Sequence, residues 1–213
     1  MQEEIKDKVV IVTGGAGGIG SKIAWTFAQS GAKVVVASRD EDKLDQLASE
    51  IRKAGHQCLP MKCDVTDADQ VETLMANTVT EFGRIDVMVN NAGGAMFVKT
   101  PEALKPDQWR AAIELNLSSV FYCSAAAGQR MIEQGSGRII NISSVAGVKN
   151  SPAFVHYGAA KAGVINLTKS MAVCWGPHNI NVNCIAPGLT ATEGVAQWLP
   201  PKTQEDGSPV PPL

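Results

Sequence analysis

Short apolar runs alternate with amphipathic segments along this chain. Apolar runs lie at 9–13, 33–37, 57–62, 85–89, 137–142 and 180–186. The segments at 21–29, 41–53, 67–82, 106–133 and 155–174 have the spacing of apolar residues that is typical of helices. Strands that are apolar throughout and alternate with helices predict a parallel sheet covered on both faces. We therefore expect an α/β fold with a doubly wound parallel sheet in three layers.

The composition is that of one globular domain spanning residues 1–213. Of the 213 residues, 45% are hydrophobic and 19% are charged, which allows a sizeable core. Prolines are frequent after residue 199, so residues 189–213 are expected to form a mobile loop that covers the substrate.

Charge and cysteine content indicate which partners and which cellular compartment to expect. A net charge of −2 predicts no broad basic surface for nucleic acid. The N-terminal residues lack the features of a signal peptide, and no apolar run reaches the roughly 20 residues that span a bilayer. The five cysteines are odd in number and form no C-x-x-C pair, which favours free thiols. We expect a cytoplasmic protein with no membrane or nucleic-acid partner.

A glycine-rich turn follows the first predicted strand. Gly15, Gly17 and Gly20 fit the pattern G-x-G-x-x-G, with a strand directly before them and a helix directly after. Glycines let the backbone turn tightly and approach a pyrophosphate, which the free N–H groups at the helix start can bind. The pattern predicts dinucleotide binding in a Rossmann-like fold. The alternative is a turn that serves only to pack the helix against the strand.

The end of the second strand bears on which dinucleotide is bound. In proteins that bind NAD, an acidic residue about 20 residues after the glycines holds the ribose 2′-hydroxyl. This chain has Ser38 and Arg39 there, which can donate a hydrogen bond to a 2′-phosphate and pair with its charge. We therefore expect NADP(H), with NAD(H) less favoured. The alternative is that Arg39 only begins the next helix and Asp40 holds the ribose.

Tyr157 and Lys161 are four residues apart in a predicted helix, so their side chains lie on one face. A lysine ammonium beside the phenol is expected to lower its pKa from about 10 and so to tune it as a proton donor or acceptor. Ser144 follows the fifth predicted strand, where its hydroxyl can bond to a substrate oxygen. The Tyr-x-x-x-Lys spacing is a weak signal alone, because many surface helices carry it.

Seven motifs occur in order between Val9 and Thr192, and together they resemble the short-chain dehydrogenase/reductase family, which includes the 3-oxoacyl-carrier-protein reductases. The motifs are Thr13-Gly14-x-x-x-Gly18-x-Gly20, Asp64-Val65, Asn90-Asn91-Ala92-Gly93, Asn116, Ser144, Tyr157-x-x-x-Lys161 and Pro187-Gly188.

The resemblance implies roles for these positions. The catalytic residues would be Asn116, Ser144, Tyr157 and Lys161, with Asn116 kinking its helix and holding a water molecule. With Ser38 and Arg39 included, the expected cofactor contacts are Gly14, Gly18, Ile19, Gly20, Ser38, Arg39, Asp64, Val65, Asn90, Ala92, Gly93, Tyr157, Lys161, Pro187, Gly188, Leu189 and Thr192.

The activity implied by the resemblance is hydride transfer between NADP(H) and a small-molecule carbonyl or secondary alcohol, with Tyr157 as proton donor or acceptor. Reduction of a 3-oxoacyl group on a carrier protein is the runner-up, and Arg130 is a candidate for contacting that acidic carrier. From a different class, an NADP-binding regulatory protein without turnover is the alternative. The complete catalytic set argues against it.

Other candidate side chains have plainer interpretations. Ser143 is expected to point away from the site, His156 to lie at its rim, and Trp25 and Trp109 to pack. The three histidines have no metal-like spacing to Cys or Asp, so no metal site is expected. Trp198 is the one aromatic residue considered for substrate contact.

Members of the family usually continue with a further helix and a last parallel strand, and both are absent here. This chain ends at Leu213, inside the expected substrate loop. Because the strand at 180–186 would then be an unpaired apolar edge, we expect the natural protein to extend further. The resemblance also implies a homodimer or homotetramer, paired through the helices at 106–133 and 155–174.

Overall fold

The computed structural model describes residues 2–192 and Val195, and in this part of the chain six strands alternate with seven helices. The strands are β1 (Val9–Thr13), β2 (Lys33–Ser38), β3 (Cys58–Lys62), β4 (Val87–Asn90), β5 (Gly137–Ile142) and β6 (Ile180–Ile185). The helices are α1 (Gln2–Ile5), α2 (Gly18–Gln29), α3 (Glu41–Lys53), α4 (Ala68–Phe82), α5 (Pro106–Ile113), α6 (Ser119–Gln134) and α7 (Val155–Trp175).

The strands form one parallel sheet in the order β3-β2-β1-β4-β5-β6. The chain moves outward from β1 to β3 and then returns to place β4 on the other side of β1. The predicted doubly wound parallel sheet is thus confirmed. The winding direction changes between β1 and β4, and ligands of such sheets bind in the crevice that this change opens at the carboxyl ends of the strands.

An apolar core lies on each face of the sheet, because consecutive side chains of a strand point to opposite faces. Ile11 and its neighbours pack against α4, α6 and α7 on one face. Val10 and its neighbours pack against α2 and α3 on the other. Both residues are completely buried, which explains why the strand sequence is apolar throughout.

The helix ends follow from local sequence. The Asp40 carboxylate caps α3 and accepts a hydrogen bond from the Lys43 N–H, and Asp67 caps α4 in the same way. Gly83 ends α4 and Gly135 ends α6, with φ angles of 80° and 68°.

The long helix predicted at 106–133 is interrupted. A π-helical turn, Glu114–Ser118, separates α5 from α6. Within it, the Asn116 Nδ2 donates a hydrogen bond to the Ala112 carbonyl at 3.0 Å. Because a π turn adds a residue to the helical repeat, it changes the direction in which side chains project.

The sixth strand differs from the apolar strand that was predicted. Ile180 and Val182 are buried on the face that α7 covers, whereas Asn181 and Asn183 are exposed on the other face. β6 lies at the edge of the described sheet. It is therefore an edge strand with one apolar and one polar face.

Candidate active site

The turn between β1 and α2 requires glycine at three positions. Gly14 and Gly18 have φ angles of 62° and 54°, in the left-handed region that favours glycine. A side chain at Gly20 would overlap the Gly14 carbonyl oxygen. Gly17 has an extended backbone, and a side chain there would meet open space. The turn therefore requires glycine at Gly14, Gly18 and Gly20, whereas neither conformation nor packing requires it at Gly17, whose expected place beside a pyrophosphate stays a prediction.

The N-terminus of α2 opens onto this glycine turn. The helix begins at Gly18, and no side chain caps it. The first N–H groups of a helix have no partner within the helix and carry the positive end of its dipole. Ile19, half-buried in the first turn of α2, lies beside these groups. The turn can therefore bind an anion without needing a basic side chain.

Thr13 and Asn91 join the ends of β1 and β4, although neither was among the predicted site residues. The Thr13 Oγ1 accepts hydrogen bonds from the N–H groups of Asn91 at 3.1 Å and Ala92 at 3.2 Å. The Asn91 Nδ2 donates to the carbonyls of Thr13 at 3.0 Å and Gly14 at 3.2 Å. These bonds hold the glycine turn against the end of β4. The available signal was that both residues are polar, stand at the ends of apolar strands and belong to two of the seven motifs.

At the end of β2, Ser38 and Arg39 contact two acidic residues, Asp40 and Asp64. The Ser38 Oγ accepts a hydrogen bond from the Asp40 N–H at 3.1 Å. Arg39 Nη1 lies 3.8 Å from Asp64 Oδ2, and the Arg39 side chain is 72% exposed. The other carboxylate oxygen of Asp64 accepts hydrogen bonds from the N–H and hydroxyl of Thr66.

Asn90 and Val65, which were expected to contact the cofactor, are both buried. Asn90 is 2% exposed, and its Nδ2 donates to Ser124 Oγ and to Asn141 Oδ1, both at 2.8 Å. Val65 is 5% exposed and packs into the core on the α4 face. The expected cofactor contact of Asn90 therefore cannot involve its side chain, which supports the end of β4 from inside. Val65 offers only a small surface to an adenine.

Ser144, Tyr157 and Lys161 lie together at the carboxyl edge of the sheet. Helix α7 places Tyr157 in its first turn and Lys161 one turn later. Lys161 Nζ is 5.6 Å from the centre of the Tyr157 ring and donates to the Ile142 carbonyl at 2.9 Å. The Ser144 Oγ accepts a hydrogen bond from the Ala146 N–H at 3.1 Å. This bond does not use the Ser144 hydroxyl hydrogen, which can be donated to another oxygen.

Ser143 points away from these groups, as expected. Its Oγ is buried and donates to the Lys161 carbonyl at 2.8 Å. Behind it, Gly147 approaches α7 so closely that an added Cβ would lie 2.6 Å from the Lys161 carbonyl carbon. These contacts hold the segment that carries Ser144 against the helix that carries Tyr157.

Asn116 holds the segment that follows β4. Its Oδ1 accepts from the Gly94 N–H at 2.9 Å, and its Nδ2 donates to the Gly94 carbonyl at 3.0 Å as well as to Ala112. A Cβ added to Gly93 would lie 2.7 Å from Asn116 Oδ1 and 3.2 Å from Lys161 Nζ. Because both Nδ2 hydrogens are used, this amide cannot donate to the water molecule that Asn116 was expected to hold.

Burial shifts the pKa values of Tyr157 and Lys161. It raises the pKa of the Tyr157 phenol, and the Ser144 hydroxyl acts in the opposite direction without reversing the shift. Burial lowers the pKa of Lys161 to about 8, and a smaller contribution from Cys184 raises it. The net shift of the phenol pKa in the protein by itself is therefore upward, not downward as expected, because loss of hydration disfavours the charged form and outweighs the other contributions.

The segment after β6 runs from the catalytic edge toward the glycine turn. The Pro187 carbonyl accepts a hydrogen bond at 3.0 Å from the N–H of Val145, the residue after Ser144. The Thr192 side chain lies 3.6 Å from the position that a Cβ on Gly18 would occupy. Leu189, between them, is 76% exposed. Residues 193–194 and 196–213 lie outside the described part of the chain. They include Trp198 and most of the expected mobile loop.

Of the residues given plainer interpretations, His156 is not where it was expected. Its side chain is fully buried, and its Nε2 lies 2.7 Å from the Ala95 carbonyl oxygen, so the prediction of a rim position is wrong. Trp25 packs against the core on the α2 face. Trp109 is 40% exposed on α5, so packing accounts for only part of its surface.

Arg130, the candidate for contacting a carrier protein, lies in an ion pair near the end of α6. It pairs with Glu72 of α4, with its Nη1 donating to Oε2 at 2.9 Å. It also lies 14 residues after Asn116 along the helix. At about 1.5 Å per residue, this separation places Arg130 roughly 20 Å from the catalytic edge. The structure therefore adds no support for the role expected of Arg130, which stays a prediction.

Within the described residues, no group of three or more His, Cys, Asp or Glu side chains is placed to hold a metal ion. The helices of this part of the chain also include none with the length and apolar character needed to cross a membrane.

Comparison with known proteins places this site in a family. A family model described as short chain dehydrogenase matches residues 8–202. A 3-oxoacyl-[acyl-carrier-protein] reductase of Synechocystis sp. is 40% identical over 190 residues, which cover 87% of this chain and 75% of the relative.

Solved structures agree with this assignment. A 7α-hydroxysteroid dehydrogenase complexed with NADH and 7-oxo glycochenodeoxycholic acid matches with a TM-score of 0.88 and 34% identity, covering 92% of this chain and 76% of that one. A variant of actinorhodin polyketide ketoreductase with NADPH matches with a TM-score of 0.86 and 33% identity, covering 92% and 75%. The chain therefore belongs to the short-chain dehydrogenase family of oxidoreductases.

Proposed function

We propose that this protein interconverts a carbonyl and a secondary alcohol on a small molecule, using NADP(H) and with Tyr157 as proton donor or acceptor. The observation that carries the proposal is that Tyr157, Lys161 and Ser144 share one edge of the sheet with the glycine turn. Gly93 links the two regions, since it follows β4 beside that turn and lies against Lys161 Nζ.

The glycine turn fits a nicotinamide dinucleotide. Gly14 and Gly18 are in left-handed conformations and Gly20 has no room for a side chain, so the backbone stays open to a pyrophosphate at the start of α2. Thr192 lies over Gly18 and would contact the cofactor from the opposite side. When bound there, the cofactor supplies the hydride.

The chain's own residues handle the proton and the developing charge. In the reductive direction, Tyr157 donates its phenolic proton to the substrate oxygen, and its raised pKa keeps that proton in place at neutral pH. Ser144 donates its free hydroxyl hydrogen to the same oxygen as negative charge develops there. Because its pKa is about 8, Lys161 is mostly charged at pH 7 and favours the phenolate left behind.

The adenosine end of the site supports NADP(H) over NAD(H). The Ser38 hydroxyl oxygen already accepts from the Asp40 N–H, so its hydrogen is free for a 2′-phosphate. The Asp40 carboxylate caps α3 and lies 3.6 Å from Lys43 Nζ, which disfavours its use for a ribose 2′-hydroxyl. The exposed Arg39 makes only a long contact with Asp64 and can turn toward a phosphate.

Replacing Tyr157 by Phe tests the proposed chemistry. Loss of a positioned proton donor should lower kcat by about 10²- to 10⁴-fold, whereas NADPH binding, followed by fluorescence, should change little. Activity is measured as NADPH absorbance with a panel of ketones, sugars, steroids and acyl thioesters.

The matched control is Tyr122→Phe. It removes the other tyrosine hydroxyl of the chain, which bonds to Glu114 at 2.8 Å, and should leave kcat within about threefold of the wild type. A Tyr157→Phe enzyme with near-normal kcat would contradict the assignment.

Reduction of a 3-oxoacyl group on a carrier protein is the second candidate. The relative from Synechocystis sp. favours it, whereas the position of Arg130 at the far end of α6 gives it no support. The two cases separate when a 3-oxoacyl thioester is offered with and without its carrier protein. A large gain in kcat/KM from the carrier would favour this candidate.

A regulatory role without turnover predicts a different result. Such a protein would bind NADPH but oxidise it with no member of the substrate panel. The four catalytic side chains would then have no chemical reason to occur together.

A further inference from the structure

His156 is a buried polar side chain, next to Tyr157, that the proposed chemistry does not use. It is fully buried, its Nε2 lies 2.7 Å from the Ala95 carbonyl oxygen, and its ring centre is 5.7 Å from that of Phe97. Because a carbonyl oxygen can only accept, the hydrogen must be on Nε2. The other ring nitrogen, Nδ1, is buried without a partner among the described residues.

The bond to Ala95 is the feature that distinguishes His156 from an apolar residue of similar size. A buried nitrogen without a hydrogen-bond partner costs stability, so packing alone would be served better by a phenylalanine. Because Nδ1 already carries that cost, the Nε2 bond must supply something that an apolar ring cannot. The effect of this bond therefore depends on the segment that contains Ala95.

Ala95 lies in the segment between β4 and α5 that crosses the catalytic edge, and two helices hold this segment at neighbouring residues. Asn116, from the π turn, bonds to both the N–H and the carbonyl of Gly94. His156, from the first turn of α7, bonds to Ala95. Further along, the Lys99 N–H donates to the Ala153 carbonyl at 3.1 Å.

The start of α7 also meets this segment through the bridge between Lys99 and Phe154, but the Ala95 bond is the one made by a side chain of the first turn. Phe154 precedes the helix and provides no side-chain cap. Tyr157 directly follows His156 in the same turn. A change in the distance between His156 and Ala95 would therefore move the phenol relative to the segment beside which the substrate is expected to bind.

We propose that His156 is a positioning residue for Tyr157. Its Nε2–H bond to Ala95 sets the first turn of α7, and with it the phenol, against the segment at 93–99. This inference rests on the proposed function of Tyr157. Losing the bond should lower kcat by about tenfold, with little change in the affinity for NADPH, because a small displacement of a proton donor weakens the transition state more than it weakens cofactor binding.

A pair of substitutions tests the proposal. His156→Phe keeps a ring of similar size but has no donor, whereas His156→Gln places an amide N–H at a reach similar to that of Nε2. Hydrogen exchange of the backbone N–H groups of Gly94, Phe97 and Lys99, which are bonded within the protein, is measured without cofactor. His156→Phe should speed exchange at these three positions and lower kcat, and His156→Gln should restore both.

The outcomes separate this inference from the proposed function. If the wild type shows no turnover with any substrate, the proposed function fails, and the exchange measurement still reports on the bond. If the wild type turns over and His156→Phe matches it in exchange and kcat, the positioning role is overturned. It is also overturned if His156→Gln folds but rescues neither quantity.

A folding failure is handled by a further variant. His156→Leu, which also lacks a donor, replaces His156→Phe if the latter does not fold. Failure of both variants and of His156→Gln to fold would assign His156 to folding and overturn the positioning role.

Discussion

At the scale of single residues, burial determines how the catalytic side chains ionise. Lys161 is 3% exposed, and burial is the main reason that its pKa falls to about 8. Tyr157 is affected in the opposite direction, since a phenol gains its charge when it loses a proton. Tyr157 therefore stays protonated at neutral pH, and Lys161 stays mostly charged there in spite of its lowered pKa.

The lowered pKa of Lys161 predicts a dependence of stability on pH. The pKa is about 8 in the folded protein, against an ordinary 10.5, so the unfolded chain binds the extra proton between these values. The free energy of unfolding should therefore rise with pH across this window, and the full cost of charging Lys161 is present below about pH 8. Lys161→Met removes this cost. The free energy of unfolding of this variant minus that of the wild type should therefore fall by roughly 2–3 kcal/mol from pH 7 to pH 10.

Urea unfolding at a series of pH values measures this difference. Lys169→Met, on the exposed side of α7, is the control and should differ from the wild type by a constant amount over the same range. A constant difference for Lys161→Met as well would show that burial does not shift the lysine.

The choice between NADPH and NADH is also expected to depend on single residues. Ser38→Asp adds a carboxylate where a 2′-phosphate is expected, and repulsion between like charges costs several kcal/mol. The ratio of kcat/KM for NADPH to that for NADH should fall by about 100-fold or more and reverse the preference. Ser38→Ala removes only the donor and should cost about two- to tenfold with NADPH. A wild type that prefers NADH would show that Arg39 and Ser38 do not select the phosphate.

At the scale of elements, the turn between β1 and α2 depends on where its glycines stand. Gly20 lies against the Gly14 carbonyl, whereas the similar Gly17 is extended and faces open space. The two residues are only three positions apart in one motif, so they provide a matched comparison.

Gly20→Ala should destabilise the protein and weaken NADPH binding, while Gly17→Ala should do neither to a comparable degree. The added methyl group at Gly20 forces the turn apart, which costs about 1–3 kcal/mol for overpacking. At Gly17 the expected change is below about 1 kcal/mol. Thermal unfolding and NADPH titration of both variants measure these effects. Equal losses in the two variants would contradict the assignment of the glycines.

At the scale of the whole molecule, the helices on the α6 and α7 face keep large apolar residues in contact with solvent. Trp109 is 40% exposed on α5, Phe121 is 50% exposed on α6 and Val173 is 79% exposed on α7. Exposed apolar residues mark an interface between subunits where they form a contiguous patch. This supports the expectation of a homodimer or homotetramer.

We expect light scattering to give a mass of at least two chains at micromolar concentration. Phe121→Glu should shift the population toward the single chain, because a charge would be buried at the contact. The control is Lys53→Glu on the exposed side of α3, which should leave the mass unchanged. A wild type that runs as a single chain would contradict this prediction.

Local patterns in the sequence determined the type of all six strands and of the helices after α1, although not the π turn that divides α5 from α6, and they determined most of the bounds. The apolar runs predicted parallel strands because a strand that is apolar on both faces must be covered on both, and β1 and β5 have the predicted bounds. The four-residue spacing of Tyr157 and Lys161 determined that they share a helix face, since helical geometry depends only on neighbouring residues. Such signals act over a few residues and can be identified without knowledge of the rest of the chain.

The tertiary structure alone decided the properties that depend on distant residues. Asn91 bonds to Gly14, 77 residues away, because the strand order places β4 beside β1. The direction of the Tyr157 pKa shift and the burial of His156 depend on packing between segments far apart in the chain. Burial and long-range contacts depend on all the neighbours of a residue in space. Neither a motif nor a periodicity in the sequence specifies those neighbours.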